Sequence, residues 1–419
     1  VNILRTPRPT PVSSDLANTF VGLDDAVRWL HDARDTTLAR QVSLASIAAP
    51  TGAETRRGDV MASEFARAGL REVRRDAAGN VIARLPATAH GDLGVDADEA
   101  PIAPVVVLAH LDTVLDATTQ PAPRVDGSRV YASGIGDNGR GLAALITLAQ
   151  VLQRDTLATR RVRPIELVAT VGEEGAGNLR GSRYYFDQRE QVHAPSPAAV
   201  VALDGPGDAL IVHHAIASRR LRFTFAGPGG HPWADPHAAN AVHAVGRAVA
   251  TIAALASAQP SGITITVTRM GGGESLTSVP AGAWFDLDVR TLDPRAMSRV
   301  VDAIHRLVER ARAEESRRGS LSVTMDVLGD RPGGALDIMH PLVRLADAAT
   351  RWQGAEPRSA SASSDANIPL SRGIPAITIG AGGTGGGAHT EHEWYDDTGS
   401  VRGVARALAV VLGAARMAL

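Results

Sequence analysis

The chain has 419 residues, 44% hydrophobic and 21% charged, with a formal net charge of -2; this suits two or three globular domains with real cores. The charge offers no basic surplus for nucleic acid or an anionic membrane. With no cysteine, disulfides, thiol nucleophiles and thiolate metal sites are excluded, so any metal must be held by His, Asp and Glu. Lysine is absent too, which removes Schiff-base chemistry. No run of about 18 apolar residues predicts a membrane-spanning helix, and a cysteine-free chain fits a reducing cytoplasm, the expected location.

Taken in chain order, Val1–Ser14 is rich in proline and polar residues and reads as a flexible N-terminus, neither signal peptide nor anchor. Residues 15–213 read as the first part of the larger of two domains. A helical pattern over Leu23–Ala48 ends at Pro50-Thr51-Gly52, and an amphipathic helix follows from Glu54 to Gly69. Two short strands, Arg71–Arg75 and Asn80–Leu85, flank the turn-forming residues Asp76-Ala77-Ala78-Gly79. The polar, acidic stretch Ala87–Glu99 reads as an exposed loop.

The texture then changes. Pro104–Ala109, Ile165–Val171, Ala198–Leu203 and Ile374–Ile379 are continuous apolar runs separated by helical stretches. This is the pattern of buried strands in a mostly parallel α/β sheet flanked by helices. Each run stops at polar groups: His110, Glu173–Glu174, Asp204, and the glycine-rich loop Gly380–His389. In such sheets the carboxyl ends of the strands are where sites are built.

Residues 214–328 read differently. Strand-like segments Arg220–Ala226, Gly262–Met270, Gly282–Arg290 and Leu321–Val327 interleave with helical ones at Pro236–Leu255 and Pro294–Arg318. The order β-α-β-β-α-β predicts an inserted ferredoxin-like α+β domain, a lid or a dimerisation surface. Residues 329–419 return to the first domain, with helices near Pro341–Trp352 and Ser400–Met417.

The strand ends carry the chemistry. His110 can bind a metal while Asp112, two residues on, accepts the other ring N–H and fixes its tautomer; a turn with a capping aspartate is the plainer alternative. Asp137, in Gly136-Asp137-Asn138-Gly139 before a helix, suits a carboxylate bridging two cations better than a phosphate loop, which an aspartate would repel. Glu173 and Glu174 are adjacent carboxylates that repel unless cations or a shared proton relieve them, and they offer one ligand and one general base. Asp204 ends its strand just before Gly205. His389 follows the glycine loop directly, whereas His392 sits in the polar segment Glu391–Glu393. Together these residues supply two imidazoles, a bridging carboxylate and two terminal carboxylates, the inventory of a two-metal hydrolase.

On these residues the sequence resembles the co-catalytic zinc exopeptidase family of peptidase T, bacterial dipeptidases, glutamate carboxypeptidase, aminoacylase and succinyl-diaminopimelate desuccinylase. The motifs run in order from His110-Leu111-Asp112 through Gly172-Glu173-Glu174-Gly175, Leu203-Asp204-Gly205, Gly229-Gly230-His231-Pro232 and Ser364-Asp365-Ala366-Asn367 to Gly386-Gly387-Ala388-His389. The resemblance implies that His110 and Asp204 hold one metal, Glu174 and His389 the other, with Asp137 between them. It makes Glu173 the general base, Asp112 the orienting partner and His231 the group that stabilises the oxyanion. Asn240 and Arg290 match substrate-binding positions, although a structural salt bridge accounts for Arg290 equally well.

The expected cofactor is a pair of divalent ions, zinc first, with cobalt or manganese also suited to these ligands. Aspartate at Asp204 resembles the peptidase T and dipeptidase branch, which implies an aminopeptidase or di/tripeptidase. The alternatives are an N-acyl-amino-acid amidohydrolase and an inactive peptide-binding relative. The expected partners are a small peptide or N-acyl amino acid and, through the inserted domain, a second copy of the chain.

Overall fold

The computed structural model describes residues 2–3, 20–87, 102–115, 122–158 and 161–416. The expected acidic loop at 87–99, apart from Ala87, and most of the N-terminal segment lie outside them. The chain divides into two compact units, one made of residues 1–215 and 335–419 and the other of residues 216–334.

The first unit is built on a ten-stranded sheet. At its centre Ile165–Thr170, Val105–His110, Ala199–Leu203 and Ala376–Ile379 lie side by side in that order, all parallel. The strand Val105–His110 is buried along its whole length, which is why it reads as an uninterrupted apolar run instead of an alternating one. On one face, the helices Gly139–Val151 and Ser400–Arg416 share a core with Val105, Val107, Leu167 and Val201. On the other, Tyr185, Phe186 and Ile368 pack on Val106, Leu108 and Val200. Alternate residues of one strand thus feed the two cores. Each fully buried Val or Leu contributes about 1.5–3 kcal/mol.

The edges are mixed, antiparallel throughout on one side and antiparallel then parallel on the other. Val81–Leu85 and then Arg71–Arg75 extend the sheet beyond Ile165–Thr170. Asp76 closes their hairpin, its Oδ1 accepting from the N–H groups of Ala78, Gly79 and Asn80. On the far side come Leu210–Ala215 and Arg358–Ala362, and Asn2–Ile3 pairs with the latter. These last strands carry no clear pattern in the sequence. Arg-Ser-Ala-Ser-Ala has none of the β-branched or aromatic residues that mark a strand, and pairing alone makes it one. The helical pattern over Leu23–Ala48 is also divided, into Asp24–Asp32 and Arg34–Ala45. Both pieces pack on the helix Gly139–Val151, and Asp24–Asp32 also packs on Ser400–Arg416.

The second unit has the order strand, helix, strand, strand, helix, strand. Its strands are Ala217–Ala226, Ile263–Gly272, Gly282–Thr291 and Ser322–Arg331, with helices Ala241–Ser257 and Pro294–Glu315. In space Ala217–Ala226 lies between Gly282–Thr291 and Ser322–Arg331, antiparallel to both. This is ferredoxin-like topology with a core of its own, including Phe223 and Phe285 stacked 5.2 Å apart.

Candidate metal centre

Parallel pairing brings the site together. His110 is the register partner of Thr170 and Leu108 that of Ala202, so the chain leaves all three strands at one edge of the sheet. His110, Glu173–Glu174 and Asp204 therefore emerge side by side. Asp137 arrives from the turn before the helix Gly139–Val151. The next residue, Asn138, accepts at Oδ1 from Gly141 N (3.1 Å) and Gly205 N (3.2 Å) and donates through Nδ2 to Leu203 O (2.8 Å). One side chain thus caps the helix and fastens its first turn to the strand end that carries Asp204. The Asp137–Asn138 peptide is cis.

The two oxygens of Asp137 face two different imidazoles. Oδ1 lies 3.0 Å from His110 Nε2 and Oδ2 lies 3.0 Å from His389 Nε2. His110 Nε2 is also 3.6 Å from Asp204 Oδ1, and His389 Nε2 is 2.9 Å from Glu174 Oε1. His110–Asp137–Asp204 and Asp137–Glu174–His389 are each compact enough for one ion, with ligand atoms within 4.8 Å of one another, as is His110–Glu173–Glu174. A nitrogen and oxygen donor set with one carboxylate common to two groups fits a pair of divalent cations. His389, not His392, meets Asp137 and Glu174, and it does so with φ of +67°, a left-handed conformation uncommon for a side-chain-bearing residue and typical of functional sites.

Asp112 acts differently from the sequence expectation. His110 Nδ1 lies 3.1 Å from the backbone carbonyl oxygen of Asp112, while the carboxylate Oδ1 is farther, at 3.6 Å. That carboxylate is already engaged, accepting from Glu173 N and Glu174 N (3.0 Å each) and from Thr51 Oγ1 (2.8 Å). The residue orients His110 through its main chain and the Glu173–Glu174 turn through its side chain.

Carboxylates outnumber imidazoles here, and the proton affinities show it. Burial opposes a charge on His110, but Asp112, Asp137 and Asp204 outweigh it and hold its pKa well above the ordinary value. Asp137 and Glu174 raise His389 to about 10. Burial also opposes ionisation of Asp137, yet the two histidines bring its pKa below the usual carboxylate range. Asp204 is pushed up by burial and by its neighbours Asp137 and Glu174. A cluster of this kind attracts cations.

Three buried residues around the site were not found from sequence. Glu393 accepts from Gly134 N at 2.6 Å and from Gly136 N and Asp137 N at 2.8 Å each, and burial raises it to about 7. Arg57 donates to Leu111 O (2.6 Å) and Ile47 O (2.5 Å), and burial pulls it down to about 10. Asp365 accepts from Thr170 Oγ1 at 2.5 Å and is raised by burial to about 6. Only Asp365 carried a signal, its place in the Ser364–Asn367 motif.

The remaining expected residues belong to the second unit. His231 is exposed, and its Nδ1 accepts from Trp233 N and Ala234 N at 3.2 and 3.3 Å. Asn240 caps the helix Ala241–Ser257, its side-chain oxygen accepting from His243 N. Arg290 pairs with Asp288, Nε to Oδ2 at 2.7 Å, on the exposed face of its strand.

With this geometry in view, residues 106–413 match Peptidase family M20/M25/M40. The chain belongs to that family. As a member of Peptidase family M20/M25/M40, it is 25% identical over 318 residues to the uncharacterised protein YqjE of Bacillus subtilis, an alignment covering 73% of this chain and 77% of YqjE. Among solved structures it is similar to the aminopeptidase PepT of Bacillus cereus, with a TM-score of 0.71 and 22% identity, covering 91% of this chain and 99% of that one. It is similar also to a tripeptidase of Staphylococcus aureus, with a TM-score of 0.74 and 21% identity, covering 92% and 99%. The family and the His/Asp/Glu cluster together make the chain a metal-dependent hydrolase.

Proposed function

We propose that this member of Peptidase family M20/M25/M40 is a dinuclear metallopeptidase that cleaves short peptides at a free amino terminus, an aminopeptidase or di/tripeptidase. One observation carries the reading: the Asp137 carboxylate divides its oxygens between two ligand groups, His110 with Asp204 and His389 with Glu174. Two divalent ions held there would supply Lewis acidity and lower the pKa of the attacking water.

The chain's own residues do the rest. Glu173, buried and held at its backbone by Asp112, takes the proton from the attacking water and returns it to the leaving amine. Asp112 keeps Glu173 and Glu174 in place. His231 is assigned to the developing oxyanion, with Arg290 and Asn240 as substrate contacts. Zinc is the proposed native metal, since imidazole and carboxylate ligands suit it. A cytoplasmic setting and a homodimer formed through the second unit belong to the same reading.

The test is hydrolysis of matched short peptides with free or acetylated N-termini by zinc- and manganese-loaded protein, followed by mass spectrometry. Cleavage of the free-amine series alone is the expected result. Cleavage of the acetylated series alone would overturn it and make the enzyme an N-acyl-amino-acid amidohydrolase.

A further inference from the structure

We infer that Glu393 is a positioning residue that clasps together the two loops of the metal centre, so that its two ions bind as one unit. The inference rests on the dinuclear reading above. His110 and Asp204 adjoin buried central strands, and Glu174 is fastened by Asp112. Asp137 and His389 lie off the central strands: one sits in the turn Gly134–Asn138, which Asn138 fastens to the sheet, the other in the loop after Thr384–Gly386. The dinuclear arrangement requires both to meet.

Glu393 lies four residues beyond His389 on that second loop, yet its carboxylate accepts three backbone N–H groups of the first. The last of those donors is the amide of Asp137 itself. The rest of the segment is held as well. Thr390 closes a turn onto Gly387 O, Glu393 N donates to Thr390 O, and Ala132 N donates to Glu393 O. The next three residues, Trp394–Asp396, pair antiparallel with Arg129–Tyr131, just ahead of the Asp137 turn. A glutamate recruited only to end a strand would not need to spend both oxygens inside the neighbouring turn. Two oxygens shared among three converging N–H groups fix the position of that turn relative to His389. Removing them leaves three donors unpaired, two of them buried, and removes the direct tie between the Asp137 turn and the His389 loop.

The experiment is a cobalt titration of the metal-free full chain, followed by visible absorption, with circular dichroism confirming that each variant is folded. The intact protein is expected to take up two ions in one unresolved step. Glu393→Ala is expected to split the titration in two and weaken the second ion about 10- to 100-fold, the usual cost of losing support behind a ligand. Glu393→Gln, which keeps one oxygen for Gly136 and Asp137 but turns an amide toward Gly134 N–H, should show a smaller split, and it carries the test if the alanine variant does not fold. Ser128→Ala removes the bond from Ser128 Oγ to Asp396 in the same small sheet and should leave the titration as it was. A folded Glu393 variant with the titration of the intact protein would overturn the clasp alone. So would a split produced equally by Ser128→Ala, since it would mean general loosening. If the intact protein takes up fewer than two ions, the dinuclear reading fails and the clasp falls with it.

Discussion

A carboxylate that already accepts three hydrogen bonds cannot reorient, and Asp112 shows what that does for its neighbours. By holding Glu173 N and Glu174 N it sets the direction in which both glutamates leave the strand end. Asp112→Asn would put an amide group where an acceptor is needed, and metal affinity is expected to fall about 10- to 100-fold in a competition assay with a chromogenic chelator. Glu173→Gln is expected to keep both metals by elemental analysis while kcat drops about 10²- to 10⁴-fold, the range for a lost general base; an unchanged kcat would remove Glu173 from that role. The residues at strand ends were legible because a polar group after an apolar run is a sequence signal. Glu393 and Arg57 were not. Their partners are backbone groups distant in sequence, and such bonds impose no spacing or periodicity that a single chain can reveal.

At the scale of elements, the site depends on how closely the helix Gly139–Val151 approaches the sheet. A Cβ on Gly141 would lie 2.2 Å from Asn138 Oδ1 and 2.6 Å from Leu203 O. Only glycine lets the first turn of this helix press against the strand end that leads to Asp204. Gly141→Ala is therefore expected to destabilise the fold by about 1–3 kcal/mol, measured as a lower urea midpoint. It should weaken metal binding as well, since Asp137 lies in the turn that must shift. The helix also explains a feature of its sequence. Nearly all its residues are buried, so apolar side chains lie on every side of it and its polar Arg140 and Thr147 are hydrogen-bonded inside, unlike the amphipathic helix Pro294–Glu315 of the second unit.

For the whole molecule, each of the two units has its own core, and acid should weaken the second at Asp286. Asp286 lies almost wholly buried beside Arg222, with Nε to Oδ1 at 2.7 Å and Nη2 to Oδ2 at 3.0 Å, and beside Arg269. The bond to Arg222 outweighs burial, and with Arg269 it holds the folded pKa below the ordinary carboxylate value. A depressed carboxylate stabilises the fold fully above its unfolded pKa, about 3.9, and that contribution is lost as pH falls through the lower folded value. Thermal unfolding of a fragment spanning residues 216–334, with a core of its own, is expected to show a loss of stability below about pH 4. Asp286→Asn should flatten that loss while lowering stability at neutral pH.

The α/β sheet with its inserted α+β domain was legible in the order of residues alone, as were the residues that converge at the strand ends. Runs of buried strand and polar residues at their carboxyl ends are local patterns, and local patterns survive in one dimension. The edge strand Arg358–Ala362, the division of the first helix at Ala33, the main-chain hold of Asp112 on His110 and the reach of Glu393 into the Asp137 turn were decided only in three dimensions. Each follows from a partner brought near by folding, and hydrogen bonds to a distant backbone place no demand on neighbouring residues in the chain.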